Sequence, residues 1–429
     1  MSPTPPRASP DPHPPHIDSP RTLRHIPLTF DNANADQSAL ELVHEICPQW
    51  ALDDGPIEFI RFTEGITNTL TKAVKRRPGQ TKSQIDQDAI LLRAYGQGTE
   101  LLINRERELR AHGLLADVGL APALLAKFEN GLLYRFVEGE VCTPEDLRKP
   151  KIYRQVAKRL GQWHGSLPVT PLLTTSPING HADHKSCNSS AAAKSLRPIP
   201  NPWTVMESWL EALPSDTAEQ KQRIQVLGGE VAEVTAKLAN TPGLLGKDYI
   251  FGHCDLLCGN VIVSPRAESG GPTNGHSEDD ERPVDFIDYE YAAPSPAAFD
   301  LANHFAEWAG LDCEYGAVPT RSQRREFLQH YVASFYAHSP GKETTPAPSD
   351  LDKDIDTLFA QVDDFRGIPG LFWGIWALIQ AQISEIDFDY ASYAELRLSE
   401  YWSWKAETDG SRARDGKEIP VRERRWAEE

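Results

Sequence analysis

The pattern of hydrophobic and polar positions divides the chain into a strand-rich first part and a helical second part. Short apolar or alternating runs predict strands at residues 57–62, 70–74, 89–95 and 132–137. After residue 140 the apolar positions recur at helical spacing, as in 153–164, where Val156, Leu160 and Trp163 share one face. Strands followed by helices predict an α+β protein with two lobes.

Length and composition agree with that division and restrict the class of partner. A chain of 429 residues exceeds one ordinary hydrophobic core, and 40% hydrophobic with 25% charged residues is typical of globular proteins. The formal net charge of −18 argues against nucleic acid, because such a surface repels phosphates. A cationic small molecule, by contrast, suits this charge.

Three segments are expected to lie outside the folded core. Residues 1–36 are assigned to a disordered tail, because the Pro- and Ser-rich stretch that opens the chain lacks apolar periodicity. Loop insertions are predicted near 168–202 and 264–283, where Pro, Gly and polar residues are frequent. The remaining residues are left to form the two lobes.

The sequence carries no feature of export or of membrane insertion. The N-terminal stretch lacks the apolar core of a signal peptide, and the longest apolar run, 371–383, is shorter than the roughly 20 residues that span a bilayer. The six cysteines form no Cys-x-x-Cys pair and no zinc-binding spacing, which favours reduced thiols. We therefore predict a cytoplasmic protein without a membrane span.

The candidate chemistry lies on a predicted hairpin formed by strands at 261–263 and 284–287. Asp255 and Asn260 precede the first strand and Asp288 follows the second, so pairing of the strands would bring the three side chains together. One carboxylate can orient and deprotonate an attacking hydroxyl, while an amide oxygen and a second carboxylate suit Mg²⁺ on phosphates. The pattern predicts a phosphotransferase site, and a surface hairpin is the alternative.

Three weaker signals each allow two interpretations. The turn 63–68 between two strands is either a phosphate-covering loop or an ordinary hairpin. Arg93, a lone charge in a buried-type strand, either faces a phosphate or reaches the edge of the sheet. Trp373 and Trp376 share one helical face, which is either core or an aromatic wall that holds a cation.

Several strings of residues occur in the order found in one known family. They are Phe-Gly-His-Cys-Asp-Leu-Leu-Cys-Gly-Asn at 251–260, Ile-Asp-Tyr-Glu-Tyr at 287–291, Phe-Asp-Leu-Ala-Asn-His-Phe-Ala-Glu-Trp at 299–308 and Trp-Gly-Ile-Trp-Ala-Leu-Ile-Gln-Ala at 373–381. On these strings the chain resembles the choline/ethanolamine kinase family. The resemblance implies a bilobal protein-kinase-like fold, with a small β-rich ATP-binding lobe with one helix at 37–139 and a large, mainly helical catalytic and substrate-binding lobe at 140–429.

The resemblance also implies roles for the matching residues. Asp255 would orient and deprotonate the substrate hydroxyl, and Asn260 and Asp288 would bind Mg²⁺. The residues implied to bind ATP are Gly65, Thr67, Asn68, Arg93 and Glu108. The residues implied to line an amino-alcohol pocket are Tyr291, Glu307, Trp373, Trp376, Phe388 and Tyr393. In that pocket the rings would face the ammonium and the glutamate would supply the opposite charge.

Two further strings favour ethanolamine over choline. Tyr-Gly-Gln-Gly-Thr-Glu-Leu-Leu-Ile-Asn-Arg at 95–105 and Glu-Trp-Ala-Gly at 307–310 resemble strings of ethanolamine kinases. The resemblance thus implies ATP- and Mg²⁺-dependent phosphorylation of ethanolamine to phosphoethanolamine, a step of phosphatidylethanolamine synthesis. The aromatic set keeps choline or dual specificity as the alternative.

One position departs from the family pattern. Cys254 stands between His253 and Asp255, where many members have Asn. This departure and the long insertions motivate a remote alternative, a catalytically silent regulatory relative, although the implied catalytic and metal-binding residues are present. The sequence leaves the oligomeric state open, including a homodimer.

Overall fold

Two lobes follow one another along the chain in the computed structural model, which describes residues 23–62, 68–96, 98–169, 200–265, 281–341, 347–384 and 386–429. The first lobe is built on a β-sheet and the second is mainly helical, as the hydrophobic pattern predicts. Residues 1–22 of the predicted tail and most of both predicted insertions lie outside the described residues. Among the described helices, none is both long and apolar enough to cross a membrane.

The described residues of the first lobe form a mixed six-stranded sheet. In chain order its strands are β1 (Arg24–Ile26), β2 (Ile57–Phe62), β3 (Asn68–Lys75), β4 (Ile90–Tyr95), β5 (Leu124–Phe128) and β6 (Gly131–Arg135). Their spatial order is β1-β5-β6-β4-β3-β2, with β1 parallel to β5 and the other neighbours antiparallel. The β-branched and aromatic residues of these segments suit a pleated sheet with a covered face.

Helices cover this sheet and lead toward the second lobe. They are α1 (Ala35–Ile46), α2 (Lys82–Asp88) and α3 (Arg105–Asp117), where the resemblance implied one helix. Leu42 and Val43 of α1 are fully buried against the sheet. At the start of α3 the Asn104 side chain accepts a hydrogen bond from the backbone N–H of Arg107 at 3.0 Å, which satisfies a donor that the helix leaves unpaired.

The structure differs from the expected disordered tail at residues 24–36. Strand β1 joins the edge of the sheet, with Arg24 opposite Ala126, and α1 begins at Ala35. Ile26 and Phe30 are buried in the core of the first lobe. The burial of these two apolar side chains offsets the entropy cost of ordering the segment. The prediction was wrong because it extended the Pro-rich stretch before them to residue 36.

The second lobe is mainly helical over its described residues. Its helices are α4 (Pro144–Leu147), α5 (Pro150–Ser166), α6 (Pro202–Ala212), α7 (Ala218–Leu238), α8 (Ala297–Glu307), α9 (Arg321–His338), α10 (Pro348–Phe365), α11 (Ile368–Ile383), α12 (Tyr390–Thr408), α13 (Ser411–Arg414) and α14 (Val421–Ala427). One hydrophobic core joins most of them and includes the buried rings of Trp163, Trp209 and Trp308.

Short strands lie at the boundary between the lobes. They are β7 (Glu140–Val141), β8 (Ile250–Gly252), β9 (Val261–Val263), β10 (Val284–Phe286) and β11 (Ala293–Ser295). Strand β9 lies between β7 and β10, and β8 pairs with β11. Strands β9 and β10 are antiparallel, with Val263 opposite Val284, so the predicted hairpin is confirmed.

Two glycines let α11 approach α12 closely. A Cβ on Gly370 would lie 2.6 Å from the carbonyl oxygen of Arg397, and a Cβ on Gly374 would lie 2.7 Å from a leucine side chain of α12. Both distances are shorter than van der Waals contact, so a larger residue would force the helices apart. Because α11 also carries Trp373 and Trp376, this contact fixes the position of both rings.

Replacing Gly370 by Ala should destabilise the protein by about 1–3 kcal/mol, because the added methyl group would collide with the α12 backbone. Gly228→Ala in α7 is the matched control, since a Cβ there would meet nothing within 4 Å. The control should be stabilising by about 0.5–1 kcal/mol, because Ala is the better helix former. Thermal and chemical unfolding measure both effects, and equal stability of the two variants would contradict the close approach.

Candidate active site

The loop that follows β8 carries Asp255 and is held by one buried carboxylate. Asp300, in the first turn of α8, accepts hydrogen bonds from the backbone N–H groups of His253 at 2.9 Å and Cys254 at 2.6 Å. Its Oδ2 atom also lies 2.9 Å from Nε2 of His164. Burial opposes the charge of Asp300, but the hydrogen bond and the charge of His164 hold its pKa below the usual value. This carboxylate stabilises a turn in which Cys254 has a φ of 62°.

Two further side chains fix the same loop. His253 donates through Nε2 to the carbonyl oxygen of Ile287 at 3.1 Å, which ties the loop to the end of the hairpin. Asn303 donates through Nδ2 to the carbonyl oxygen of Cys254 at 3.1 Å. Burial lowers the pKa of His253, so its ring is neutral and its contact is structural.

Asp255 and Asn260 are in direct contact at the start of β9. Asn260 donates through Nδ2 to the backbone carbonyl of Asp255 at 2.8 Å, and the same atom lies 3.3 Å from Asp255 Oδ2. The backbone N–H of Ile287 donates to the carbonyl of Asn260 at 3.0 Å, which brings the next residue, Asp288, to the same end of the hairpin. The three predicted side chains therefore come together.

The environment of Asp255 opposes its negative charge. The residue is 8% exposed, and burial is the largest of the effects that raise its pKa well above the usual value. The charges of Asp288 and Glu307 raise this pKa further, whereas the hydrogen bond from Asn260 lowers it. A cation bound among these groups would relieve the repulsion.

A cluster of charged side chains joins the two lobes behind Asp288. Arg93 of β4 donates through Nη1 to Asp288 Oδ1 at 2.7 Å and through Nη2 to Glu290 Oε2. Its Nη1 also lies 3.5 Å from Glu108 Oε1 of α3. Arg93 and Glu108, both implied to bind ATP, are thus in contact with each other, but the guanidinium makes its shorter contacts with the two acids of the second lobe.

Two members of this cluster, Arg105 and Glu290, were not among the predicted residues. Arg105 Nη1 lies 2.9 Å from Glu108 Oε2 and 3.3 Å from Glu290 Oε2. Burial raises the pKa of Glu290 to about 7, against the opposing charge of Arg93. Glu290 could have been found, because it follows Asp288 by two positions in the string at 287–291. Arg105 is three residues before Glu108 on α3, but no local pattern marks its contact with Glu290.

The structure describes one of the three residues of the implied phosphate loop, Asn68. Gly65 and Thr67 lie outside the described residues. Asn68 begins β3, and its Nδ2 donates to Glu290 Oε2 at 3.2 Å while its Oδ1 accepts from Arg105 Nη2 at 3.4 Å. The start of β3 is therefore tied to the charged cluster.

The predicted aromatic side chains form a connected set of rings. Tyr291 OH accepts a hydrogen bond from Trp376 Nε1 at 2.7 Å, and the Trp373 ring lies 5.4 Å from the Tyr291 ring and 5.5 Å from the Trp376 ring. The edge-to-face geometry is one that aromatic pairs prefer. Trp373 Nε1 donates to Asn303 Oδ1 at 2.7 Å, so the ring set is joined to the loop that carries Asp255.

Phe388 and Tyr393 extend this ring set through a residue that the sequence analysis missed. The Tyr390 ring lies 5.8 Å from Trp376 and 4.8 Å from Phe388, and Phe388 lies 5.6 Å from Tyr393. Phe388 is 41% exposed and so lies at the rim, while Tyr390 and Tyr393 are buried. The set therefore runs from the protein interior to solvent.

Glu307, at the end of α8, is paired with a buried arginine. Arg397 of α12 donates through Nη2 to Glu307 Oε1 at 3.1 Å and through Nη1 to Tyr393 OH at 3.2 Å. Burial raises the pKa of Glu307, and the charge of Arg397 opposes this effect. Sequence analysis missed Arg397, although it lies one helical turn after Tyr393.

The oxygen atoms beside Asp255 suit a hard divalent cation. Over the described residues, no hydrogen bond or ion pair occupies Asn260 Oδ1 or Asp288 Oδ2. Mg²⁺ prefers oxygen ligands and is usually held by one or two protein groups together with substrate phosphates. The donor set therefore fits this ion.

Comparisons with known proteins identify the family. The model of the family described as choline/ethanolamine kinase matches residues 59–402. A probable ethanolamine kinase of Nematostella vectensis is 31% identical over 387 residues, which cover 89% of this chain and 96% of that protein. Ethanolamine kinase 2 of Homo sapiens is 32% identical over 389 residues, which cover 89% of this chain and 84% of that protein. The chain belongs to the choline/ethanolamine kinase family.

Solved structures agree with the expected fold. An ethanolamine kinase of Plasmodium vivax matches with a TM-score of 0.58 at 24% identity, covering 86% of this chain and 89% of that one. A choline kinase of Cryptosporidium parvum matches with a TM-score of 0.56 at 21% identity, covering 87% and 97%. These likenesses confirm the bilobal protein-kinase-like fold that the resemblance implied.

Asp255→Asn should stabilise the ligand-free protein, and the gain should grow with pH. Because folding raises the pKa of Asp255, its ionisation disfavours the folded state progressively as the pH rises above about 4, by about 1.4 kcal/mol per unit of raised pKa. An amide avoids this cost. Thermal unfolding in the presence of a chelator, at about pH 5 and about pH 8, measures the difference.

The exposed Asp352 of α10 provides the control for this experiment. It makes no side-chain hydrogen bond or ion pair within the described part of the chain, so Asp352→Asn should change the Tm little at either pH. An equal rise in Tm at both pH values for Asp255→Asn would contradict the raised pKa.

Proposed function

We propose that this chain is an ATP- and Mg²⁺-dependent ethanolamine kinase, which transfers the γ-phosphate of ATP to the hydroxyl of ethanolamine. The observation that carries the proposal is the meeting of Asp255, Asn260 and Asp288 at one end of the hairpin, beside a pocket of aromatic rings and a buried carboxylate. The two sequence relatives from Nematostella vectensis and Homo sapiens, each of which covers 89% of this chain, are called ethanolamine kinases, which supports the choice of alcohol.

Asp255 is the proposed proton acceptor. The hydroxyl oxygen forms a bond to the γ-phosphorus while the bond from that phosphorus to the bridging oxygen breaks, ADP leaves, and the hydroxyl proton passes to the Asp255 carboxylate. Its raised pKa makes this carboxylate a stronger base than an exposed aspartate. Asn260 holds the backbone carbonyl of Asp255 at 2.8 Å and contacts its carboxylate at 3.3 Å.

Asn260 and Asp288 are the proposed ligands of Mg²⁺, which would neutralise phosphate charge when bound. Arg93 orients Asp288 through their 2.7 Å contact and contributes positive charge toward the ATP phosphates, with Glu108 as a further partner of its guanidinium. The proposed phosphate loop comprises Gly65, Thr67 and Asn68. In this arrangement the chain contributes position and charge, which is most of what phosphoryl transfer requires.

The ring set suits the ammonium group of an amino alcohol. Tyr291, Trp373 and Trp376 offer aromatic surface to a cation, and Glu307 supplies a negative charge nearby. Phe388 and Tyr393 complete the proposed lining. A primary ammonium needs hydrogen-bond acceptors, whereas the trimethylammonium of choline needs only apolar and aromatic surface, so the ring set also favours choline as the second candidate.

The proposal places the enzyme in the cytoplasm, where phosphoethanolamine would serve phosphatidylethanolamine synthesis. The purified chain with Mg²⁺ and labelled ATP should phosphorylate ethanolamine with a higher kcat/KM than choline. Asp255→Asn should lower kcat by about 10²–10⁴-fold in a protein that remains folded. Light scattering on the same preparation tests for a homodimer.

Each contrary result of this assay has its own meaning. Wild-type turnover in the Asp255→Asn protein would contradict the role of Asp255. A higher kcat/KM for choline would select the second candidate, and absence of turnover with either amino alcohol would favour a catalytically silent relative.

Arg93→Lys should lower kcat by about 10²-fold and raise the Mg²⁺ concentration that gives half the maximal rate. Lys keeps the charge but cannot contact Asp288 and Glu290 with two arms, so the metal ligand loses its fixed position. Titration of Mg²⁺ at saturating ATP measures the effect. Arg76→Lys is the control, because Arg76 is half-exposed in a surface ion pair, and an unchanged Mg²⁺ requirement for Arg93→Lys would contradict the role.

A further inference from the structure

Charged side chains of alternating sign run from the aromatic pocket to the C-terminal helix. In order they are Glu307, Arg397, Glu400, Arg422, Glu423 and Arg366. Successive nitrogen-to-oxygen distances are 3.1, 3.5, 3.8, 3.1 and 2.8 Å. The first five residues are at most 5% exposed, and we call the whole set the buried charge chain.

The buried charge chain joins residues from two parts of the sequence. Glu307, Arg397 and Glu400 fall within residues 59–402, which the family model matches, whereas Arg422 lies beyond that range on α14. Helix α14 also has an anchor of its own. Trp426 Nε1 donates to an aspartate of α10 at 2.6 Å, and its ring lies 3.9 Å from a buried guanidinium of α9. The docking of α14 therefore does not depend on Arg422 alone.

The middle of the buried charge chain is loosely bonded. Glu400 Oε2 lies 3.5 Å from Arg397 Nε and 3.8 Å from Arg422 Nε. Over the described residues, neither Glu400 Oε2 nor Arg397 Nε has a hydrogen-bond partner. Buried charges that lack full hydrogen bonding lower the stability of the folded state, so this part of the buried charge chain contributes little to stability. The two cations on either side of Glu400, together with the neighbouring side chains of Cys313 and Tyr315, set its position.

The pocket end of the buried charge chain depends on Arg397. This residue contacts both Glu307, at 3.1 Å, and Tyr393 OH, at 3.2 Å, and both of these are proposed pocket residues. A displacement of Arg397 toward Glu400 would leave Glu307 buried without its cation, and burial already raises the pKa of Glu307. The pocket would then lose the negative charge that faces the ammonium.

We propose that Arg422 and Glu400 are positioning residues for the ammonium-binding end of the pocket, because they hold Arg397 and Arg397 holds Glu307. The inference rests on the proposed function, since it assigns to Glu307 the ammonium of the substrate. By this inference the C-terminal helix α14 takes part in substrate recognition, although it carries none of the residues of the ring set.

A double-mutant cycle in the full-length protein tests this inference. Arg422→Met should raise KM for ethanolamine by about tenfold while KM for ATP changes by less than about twofold. In a Glu307→Gln background, where the charge is already absent, Arg422→Met should change KM for ethanolamine by less than about twofold. A purely structural role for Arg422 would give the same fold-change in both backgrounds.

Arg424→Met is the matched control on the same helix. Arg424 is exposed and makes no side-chain hydrogen bond or ion pair within the described residues, so this variant should leave both KM values unchanged. If the Arg422→Met protein does not fold, Glu400→Gln, which keeps the side-chain volume, enters the same cycle, with an expected rise in KM for ethanolamine of about fivefold or more.

The outcomes separate the inference from the proposed function. If the wild type phosphorylates ethanolamine but Arg422→Met and Glu400→Gln leave its KM unchanged, or change it equally in both backgrounds, the inference is overturned and the function stands. If the wild type phosphorylates no amino alcohol, the proposed function is overturned together with the inference.

Discussion

The contact of Arg93 with Asp288 and Glu290 is the interaction on which the arrangement of the active site depends. It joins β4 of the first lobe to the end of the hairpin in the second, across 195 residues of chain for the Asp288 contact. Burial works against a charged guanidinium, but the neighbouring carboxylates hold the pKa of Arg93 well above its usual value. Removing one partner of a buried ion pair typically costs about 3–5 kcal/mol, because the other charge is left unpaired. The contact between the lobes and the position of Asp288, the proposed metal ligand, therefore share one cause.

A single face of α8 organises the second half of the site. Asp300, Asn303, His304 and Glu307 follow one another at spacings of three, one and three residues, so they lie on the same side of the helix. Asp300 and Asn303 hold the backbone around Cys254. His304 Nδ1 lies 2.8 Å from the carbonyl oxygen of Leu256, in the same loop. Glu307 reaches the pocket. One helix thus holds both the loop of Asp255, the proposed proton acceptor, and Glu307, the proposed partner of the substrate ammonium.

How much could be predicted from the sequence depended on the range of the interactions. The hairpin and the meeting of Asp255, Asn260 and Asp288 follow from two short β-branched runs and their flanking residues, which are local signals. Arg105 and Arg397 were missed, because their contacts with Glu290 and Glu307 join residues far apart in sequence and only the folded chain brings them together. The order of residues 24–36 was not predicted for a different reason. Two buried apolar side chains, Ile26 and Phe30, order this segment, although the prediction grouped it with the Pro-rich stretch before it.

The roles assigned to individual site residues rest on the resemblance to the family rather than on local patterns or long-range contacts alone. The resemblance implied them, the geometry accommodates them, and Gly65 and Thr67 lie outside the described residues. Cys254 is a useful example: the residue departs from the family pattern, yet its backbone N–H and carbonyl make the contacts that the loop needs. Because these contacts use the main chain, they do not require the Asn side chain, and the limits at this position are its positive φ and its buried surroundings.

The close approach of α11 and α12 at Gly370 and Gly374 limits how the pocket can adapt. At Gly370 backbone meets backbone, and at Gly374 backbone meets a leucine side chain of α12, so the helix that carries Trp373 and Trp376 has little room to shift. The deep end of the pocket is consequently stiff, while Phe388 at the exposed rim retains room to move. If the proposed pocket binds the amino alcohol, discrimination between substrates of different size is left to the rim, and a change of preferred substrate is expected to arise there before it arises at the tryptophans.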